Sequence, residues 1–576
     1  MRILIFDFEV FKYDTLLGVY DVNSDKYIQT WDLGEIKSFY EKNKDAIWIG
    51  HNNSHYDNFI LQSIIFDIDP YTTSKEIINN DVRIRLEIPL IFYDIMSGHF
   101  TSLKVLEAYM GKNISESEVD FDIRRPLTDE EKLKTESYNR DDLDQTFEDL
   151  KFVKNEFQLR LELIKEFNLP LSALHSTEAQ IAAMALHAHK IKDIELSPLK
   201  PRIYDNLKVE NKKVRDFYLG ESWSWKNGAL RRFIKVKFCG TEHTIAAGGI
   251  HAGKLRHEDS ALYLDVSGYY NLVMINYNLL SRAIPEKGRK LYEFMYHEQL
   301  RLKKINPIKR NVYKIILLAV FGAQSNKYCD FYDPYQGDLV RLTGEMFLID
   351  LLEKLEGKAD VIQSNTDGIM LKPLVSEDEI MEVVNEWQER TGFVLKVEHI
   401  YNIIQRDVNN YMYKDADGNI HVKGEAVKHW ECLENPFIRN SYDSKEPLII
   451  SKCIVEYYMN NKKQEDIIKE NKDNIRLFQF ICKKGTYDYL EYDDGQKVSR
   501  LQKVNRCFIG KNCSGMIYKC KGVKRDKYSN VPGGVFVHNN AININLNKKI
   551  DYNYYIRRSY ERIEEFKLKP EHLSLF

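Results

Sequence analysis

The sequence predicts an α/β protein of several domains, and three observations predict it. A chain of 576 residues is too long for one hydrophobic core, so typical domain sizes give three or four domains. Its 43% hydrophobic and 29% charged content is that of a globular protein, not a disordered or fibrous one. Strand-like and helix-like runs alternate, and two carboxylate sets lie along the chain in order: Asp7, Glu9, Asp57 and Asp142, then Asp265 and Asp367, each of the last two at the end of or beside an apolar strand-like run.

RILIFDFEVF alternates as a strand does, and IWIGHNNSHYDNFILQSII reads as strand, polar loop and helix start. SLKVLEAYMG and the stretch 129–157 read as helices, the latter opening on Thr128 to Glu131 with capping-box character. These elements define an N-terminal α/β domain ending near residue 165. A less regular region follows, with HTIAAGGIHAGK as its Gly-rich punctuation. LYLDVSGYYNLVMINY then reads as strand, turn and helix, and after Pro285 a long basic, helical stretch runs through KINPIKRNVYKIILLAVFG. Next come a helix near 345–355, the VIQSNTDGIML hairpin, a helix near 376–391 and a hairpin turning at Asp417-Gly418. From about residue 430 helices mix with a basic β-like segment, ending in the helix-like YNYYIRRSYERIEEF.

The formal net charge is −3, yet positive charge is gathered locally. Nine Lys or Arg lie between Lys287 and Lys314, and ten lie between Lys497 and Lys527 against the single acid Asp526. The second segment interleaves its cations with Phe508, Tyr518 and Tyr528, the composition of a surface that tracks a phosphate backbone, and Lys521, Lys524 and Arg525 are its candidate contacts. The alternative is a solvated face of a β-hairpin. The eight cysteines, Cys432 among them, form no Cys-x-x-Cys pair, which argues for reduced thiols and against a zinc ribbon. His51, His55 and His251 read as hydrogen-bonded loop residues, since hard Mg²⁺ prefers oxygen. No run approaches the ~20 apolar residues that span a bilayer, and MRILIFDFEV lacks signal-peptide architecture, so the expectation is a protein working inside a cell.

An Asp-x-Glu pair on a strand puts both carboxylates on one face, where Asp7 and Glu9 can share a cation. With Asp57 and Asp142 they make the four carboxylates that two divalent ions need. Tyr138, one helical turn before Asp142, lies on the same face, where its phenol can orient an attacking water. This ordered set resembles the DEDDy type of 3′–5′ proofreading exonuclease, whose motifs match at Asp7/Glu9, Asn53/Tyr56/Asp57 and Tyr138/Asp142. The resemblance implies a ribonuclease-H-like fold, with Asn53 and Tyr56 holding a single-stranded 3′ end.

Two carboxylates bridging two Mg²⁺ ions are what in-line attack of a 3′-hydroxyl on an α-phosphate requires, and Asp265 and Asp367 offer them. Between them Arg301, Lys303, Arg310 and Lys314 supply cations for a triphosphate, with Lys303, Arg310 and Lys314 expected on one helical face. Here the chain resembles a family B DNA polymerase of bacteriophage type over essentially its whole length. Asp265-Val-Ser-Gly-Tyr-Tyr270-Asn stands for Asp-x-x-Ser-Leu-Tyr-Pro, Lys314 to Phe321-Gly322 for Lys-x-x-x-Asn-Ser-x-Tyr-Gly, and Asn365-Thr366-Asp367 for Asp-Thr-Asp. The resemblance implies that Tyr270 is a steric gate against ribonucleotides, and that Lys314 contacts the triphosphate. It likens Asn409-Asn410-Tyr411 and the hairpin to Lys423-Gly424 to the family's primer grip, and Gly248-Gly249 to its Gly-Gly turn.

Several residues depart from the pattern. Leu318, Ala319 and Phe321 replace Asn, Ser and Tyr, giving the nascent base pair a more apolar surface; Asn365 replaces the first Asp of its motif; and Asn409 replaces a Lys, removing a phosphate contact. The 49 residues from Asp265 to Lys314 leave no room for the insertion with which protein-primed members dock a terminal protein. The expectation is a primer-dependent enzyme of low intrinsic processivity.

The implied architecture is an exonuclease domain over 1–165, a connecting region over 166–255, palm over 256–290 and 331–429 interrupted by fingers over 291–330, and thumb with C-terminal region over 430–576. The implied function is template-directed DNA synthesis with proofreading. Each active site would use two Mg²⁺, with Mn²⁺ as a substitute, on primer-template DNA and deoxynucleoside triphosphates. The implied setting is a monomer in the cytoplasm of an infected bacterium, away from membranes, beside a phage's helicase-primase, single-strand-binding protein and clamp. The alternatives are a 3′–5′ exonuclease whose polymerase half is a degenerate DNA clamp, and a non-catalytic nucleic-acid-binding protein.

Overall fold

The computed structural model describes residues 1–568 except 80–84, 99–100, 115, 195–198, 221–222, 224, 227–228, 231, 432 and 434–445. Cys432 therefore lies outside the described residues. Among those described, no helix is long and apolar enough to cross a membrane.

The N-terminal unit is a five-stranded sheet of β1 (Ile3–Val10), β2 (Thr15–Asp21), β3 (Lys26–Thr30), β4 (Ile47–Gly50) and β5 (Ile91–Asp94), in the order β3-β2-β1-β4-β5. β1 and β3 run antiparallel to β2, whereas β4 runs parallel to both β1 and β5. Its helices are α1 (Leu33–Asn43), α2 (Asp57–Ile65), α3 (Pro70–Asn79), α4 (Leu103–Met110) and α5 (Asp129–Glu166). The two-residue period of β1 sorts its side chains. Leu4, Phe6, Phe8 and Val10 pack with Ile36, Tyr40, Ile60 and Leu61 of α1 and α2, while Ile5 packs with Leu143 and Val153 of α5. Asp7 and Glu9 thus fall on the α5 side. The capping box expected at Thr128 is present, with Glu131 bonded back to the Thr128 amide, and it starts the 38-residue α5.

After α6 (Glu178–Ala185), α7 (Lys212–Leu219) and the short pair β6 (Trp225–Lys226) and β7 (Ala229–Leu230), a nine-stranded sheet forms the middle of the molecule. It comprises β8 (Phe233–Phe238), β9 (Thr241–Ala246), β10 (Gly249–Gly253), β11 (Arg256–Val266), β12 (Ala359–Asn365), β13 (Gly368–Pro373), β14 (Leu395–Asp407), β15 (Asn410–Asp415) and β16 (Ile420–Lys423). Its order is β16-β15-β14-β11-β13-β12-β10-β9-β8, so the strands of 233–253 join the same sheet as β11, which bears Asp265, and the β12–β13 hairpin, whose turn bears Asp367. The helices α8 (Tyr269–Asn276), α9 (Glu286–Arg301), α10 (Pro307–Ala323), α11 (Pro334–Lys354) and α12 (Glu377–Thr391) share one hydrophobic core with it.

The basic stretch after Pro285 is two helices. α9 ends at Arg301, residues 302–306 turn, and Asn306 caps a new helix with Pro307 in its first turn. Lys303 therefore sits in the turn, and the helical face expected to carry it with Arg310 and Lys314 does not exist.

The C-terminal unit has its own core. Helices α13 (Leu448–Asn460), α14 (Gln464–Glu470) and α15 (Tyr552–Ile563) flank two small sheets. One is built from β17 (Phe480–Lys483), β20 (Val504–Ile509) and β23 (Val535–Val537), the other from β18 (Tyr489–Asp493), β19 (Val498–Leu501), β21 (Met516–Lys521) and β22 (Lys524–Lys527).

Candidate active sites

In the N-terminal unit, carboxylate oxygens of Asp7, Glu9 and Asp142 lie within 4.8 Å of one another. Asp57, at the start of α2, is near enough to Asp7 and Glu9 to raise both carboxyls, and its Oδ1 accepts the Phe8 amide, between those two residues, at 3.1 Å. The Asn139 amide donates to Asp7 Oδ2 at 3.0 Å. That approach needs Gly18, paired opposite Asp7 on β2, because a Cβ there would collide with the Asn139 amide. Tyr138 hydrogen-bonds to Asp142 from one turn earlier on α5.

The cluster is short of positive charge. Burial and then the neighbouring acids push the Asp7 and Glu9 carboxyls well above the usual range. Burial likewise pushes Asp57 up to about 7, with Asp94 adding to the effect. Buried carboxylates that repel one another fit a divalent cation, whose oxygen preference matches this all-oxygen donor set. Asp7, Glu9 and Asp142 are the residues placed to share it.

Three neighbours were not found by sequence reasoning. Lys104 of α4 puts its Nζ 2.9 Å from Asp142 Oδ1 and 3.2 Å from Glu107 Oε1, and 4.9 Å from the centre of the Tyr138 ring. Burial pushes the Glu107 carboxyl up to about 7. Asp94, at the end of β5, accepts the amides of Asn52 and Ser54 and so shapes the loop that delivers Asp57. A Lys and a Glu three residues apart on an otherwise apolar helix were the available signal. Lys104 and Tyr138 also line an adjoining cavity of about 460 Å³. Tyr56 is half-buried with its hydroxyl 2.7 Å from Ser74 Oγ. Asn53 is fully buried and donates to Asn58 Oδ1 at 3.1 Å, so in this arrangement its amide braces the loop and does not reach the surface.

In the central sheet, Asp265 of β11 pairs in register with Gly368 of β13, and the Val266 amide donates to the Asp367 carbonyl at 3.0 Å. The two acids thus meet at one end of adjacent strands. Burial and then Asp367 raise the Asp265 carboxyl. Asn365 spends its side chain on the same turn: its Oδ1 accepts the Thr366 amide at 2.9 Å. It also hydrogen-bonds with His251, which lies on strand β10 and not in a loop. The turn between β9 and β10 at Gly248-Gly249 packs on this motif. Gly249 has φ 141°, and a Cβ there would lie 2.8 Å from Thr366 Oγ1.

Tyr270 of α8 and Phe321 of α10 stack face to face. Lys314 is exposed on α10, and Arg310, one turn earlier, is half-buried with no partner for its Nε among the described residues. Arg301, by contrast, is held by Glu298, with its Nε 2.9 Å from Oε2. Tyr411 of β15 hydrogen-bonds with Gln363 and carries the Lys423 ammonium 5.9 Å above its ring, from the paired position on β16. Asn409 is exposed, its amide held by Asp407.

The basic segment near the C-terminus is less free than its composition implies. β18, with Glu491 and Asp493, is the neighbour of β21, and Arg525 of β22 bonds to those acids at 2.7 and 3.1 Å. Arg506 is fully buried. Lys521 and Lys524 remain exposed at the hairpin tip.

No family model and no curated protein matches the sequence. Among solved structures, the chain is similar to the family B DNA polymerase from the hyperthermophilic archaeon Pyrobaculum calidifontis, at 14% identity and a TM-score of 0.43, over 99% of this chain and 79% of that one.

Proposed function

We propose that the protein is a primer-dependent DNA polymerase of the phage family B type with a 3′–5′ proofreading exonuclease. One observation carries the reading: two separate acid clusters, one between strand β1 and helix α5 and one where β11 meets the β12–β13 turn, each beside a tyrosine and a lysine. The β3-β2-β1-β4-β5 order supports a ribonuclease-H-like nuclease domain, and the acid-bearing sheet with the α9–α10 hairpin supports a palm with fingers.

In synthesis, Asp265 and Asp367 would hold Mg²⁺, which when bound lowers the cost of the primer hydroxyl's attack and of the charge on the leaving pyrophosphate. Lys314 and Arg310 meet the triphosphate, the ring of Tyr270 closes the space a 2′-hydroxyl needs, and Tyr411 with Lys423 steadies the primer end. In editing, Asp7, Glu9, Asp57 and Asp142 would hold the same ion, and Tyr138 aims the attacking water at the scissile phosphate.

Extension of a 5′-labelled primer on a longer template, with and without deoxynucleotides, tests this beside Asp7→Ala and Asp367→Ala. Lengthening lost only in Asp367→Ala and shortening lost only in Asp7→Ala is the expected pattern. The commitment of Asn365 to its own turn favours a second reading, a nuclease with a degenerate polymerase half. Shortening without lengthening under Mg²⁺ or Mn²⁺ would establish that one instead.

A further inference from the structure

Helix α4 is fastened at both ends. At its C-terminus, the buried Arg506 of the C-terminal unit donates to the carbonyl oxygens of Ala108 at 3.0 Å and Lys112 at 2.8 Å, and its Nε donates to Gln479 at 2.8 Å. Just beyond, the Ile542 amide donates to the Gly111 carbonyl at 2.9 Å, and the Ile114 amide to the Asn539 carbonyl at 2.9 Å. A cation on the last carbonyls of a helix stabilises it through both hydrogen bonds and the helix dipole. The anchored backbone leaves Lys104, in the first turn of the helix, directed at the acid cluster.

We infer that Lys104 is a tethered cation that competes with divalent metal for Asp142, with Glu107 as the position it occupies when metal displaces it. The inference rests on the nuclease reading of this cluster. Lys104 Nζ already sits within ion-pair distance of both acids, 2.9 Å from Asp142 and 3.2 Å from Glu107, so the exchange needs only a side-chain rotation. Its side chain is 18% exposed, and those of Asp142 and Glu107 are 12% and 5% exposed, so solvent screens the contest weakly. Metal and ammonium cannot both take the same carboxylate oxygen at full strength, so each weakens the other by the same factor. The device makes metal loading of the nuclease depend on a side chain whose backbone the C-terminal unit holds.

Mn²⁺ titration of the full chain, followed by electron paramagnetic resonance without DNA, tests this in the wild type, Lys104→Met, Lys104→Arg and Asp7→Ala. The portion of bound Mn²⁺ lost in Asp7→Ala belongs to this cluster. That portion is expected to half-saturate at a concentration about fivefold or more lower in Lys104→Met. Lys104→Arg, which keeps the charge, is expected to stay at or above the wild-type value, and it carries the comparison if Lys104→Met does not fold. Equal half-saturation in all three chains would overturn the inference while leaving the nuclease reading intact. Absence of any Asp7-dependent Mn²⁺ in both wild type and Lys104→Met would overturn the nuclease reading and the inference with it.

Discussion

The rings of Tyr270 and Phe321 lie 4.2 Å apart and 10° from parallel, so α8, which follows the Asp265 strand, is locked to α10, which carries Lys314. An aromatic pair of this geometry contributes about 0.5–1.5 kcal/mol beyond its area. Phe321→Ala should therefore raise the KM for a deoxynucleotide about 2- to 10-fold with a smaller change in kcat. Tyr270→Ala should chiefly raise the use of ribonucleotides. Single-nucleotide incorporation with both sugars measures both, and an unchanged KM in Phe321→Ala would show that the stack does not shape the nucleotide site.

Beneath that pair, Glu345 of α11 is buried and accepts the Tyr218 hydroxyl at 2.7 Å. Burial pushes its carboxyl up to about 8. The sign follows from linkage: the folded chain keeps this proton where the unfolded chain has lost it, so the stability Glu345 contributes at acid pH is lost as pH rises from about 4.5 to about 8. Over that window the loss runs at up to about 1.4 kcal/mol per pH unit. Glu345→Gln should flatten the pH dependence of the urea unfolding midpoint by that much, and parallel curves would refute the assignment.

At the C-terminal hairpin, the three cations separate by their partners. Lys521→Gln and Lys524→Gln should each lower the salt dependence of duplex binding by about 0.9 in the log–log slope, the share of one phosphate contact. Arg525→Gln should leave the slope nearly unchanged, because Glu491 and Asp493 already hold that guanidinium. Binding titrations from low to moderate salt decide it; equal effects from all three would contradict the ion pairing.

Arg506 is shut away from solvent, so its bonds to backbone carbonyls are made at full strength. Arg506→Met would leave the carbonyls of Ala108, Lys112 and Asn540 without this donor, at a cost of about 3 kcal/mol. The control is the exposed Lys521→Met, expected within about 0.5 kcal/mol of wild type. Chemical denaturation followed by circular dichroism reads both, and equal midpoints for the two variants would show that Arg506 does not fasten the units together.

Much of the chain's local structure was legible in its residues. The alternation of RILIFDFEVF, the capping box at Thr128 and the turn at Asp417-Gly418 all appear where the patterns put them, because each rests on contacts within a few residues. The break at residues 302–306 was signalled by Asn306-Pro307 but was outweighed by the basic, helical composition on either side. The ion pairs of Arg525 were not legible for a different reason: Glu491 and Asp493 are on β18, adjacent in the sheet although not within the counted segment.

The sequence by itself determined the strand positions of Asp7, Glu9 and Asp265 and the helical spacing of Tyr138 and Asp142, because side-chain direction follows from backbone periods of about 2 and 3.6. Only the tertiary structure decided that Asp7, Glu9 and Asp142 converge, that Lys104 enters their cluster, and that Arg506 holds the helix bearing it. The bond from Arg506 to Ala108 joins residues 398 positions apart, and the physical reason is that long-range contacts are set by how whole faces pack, which no local period encodes.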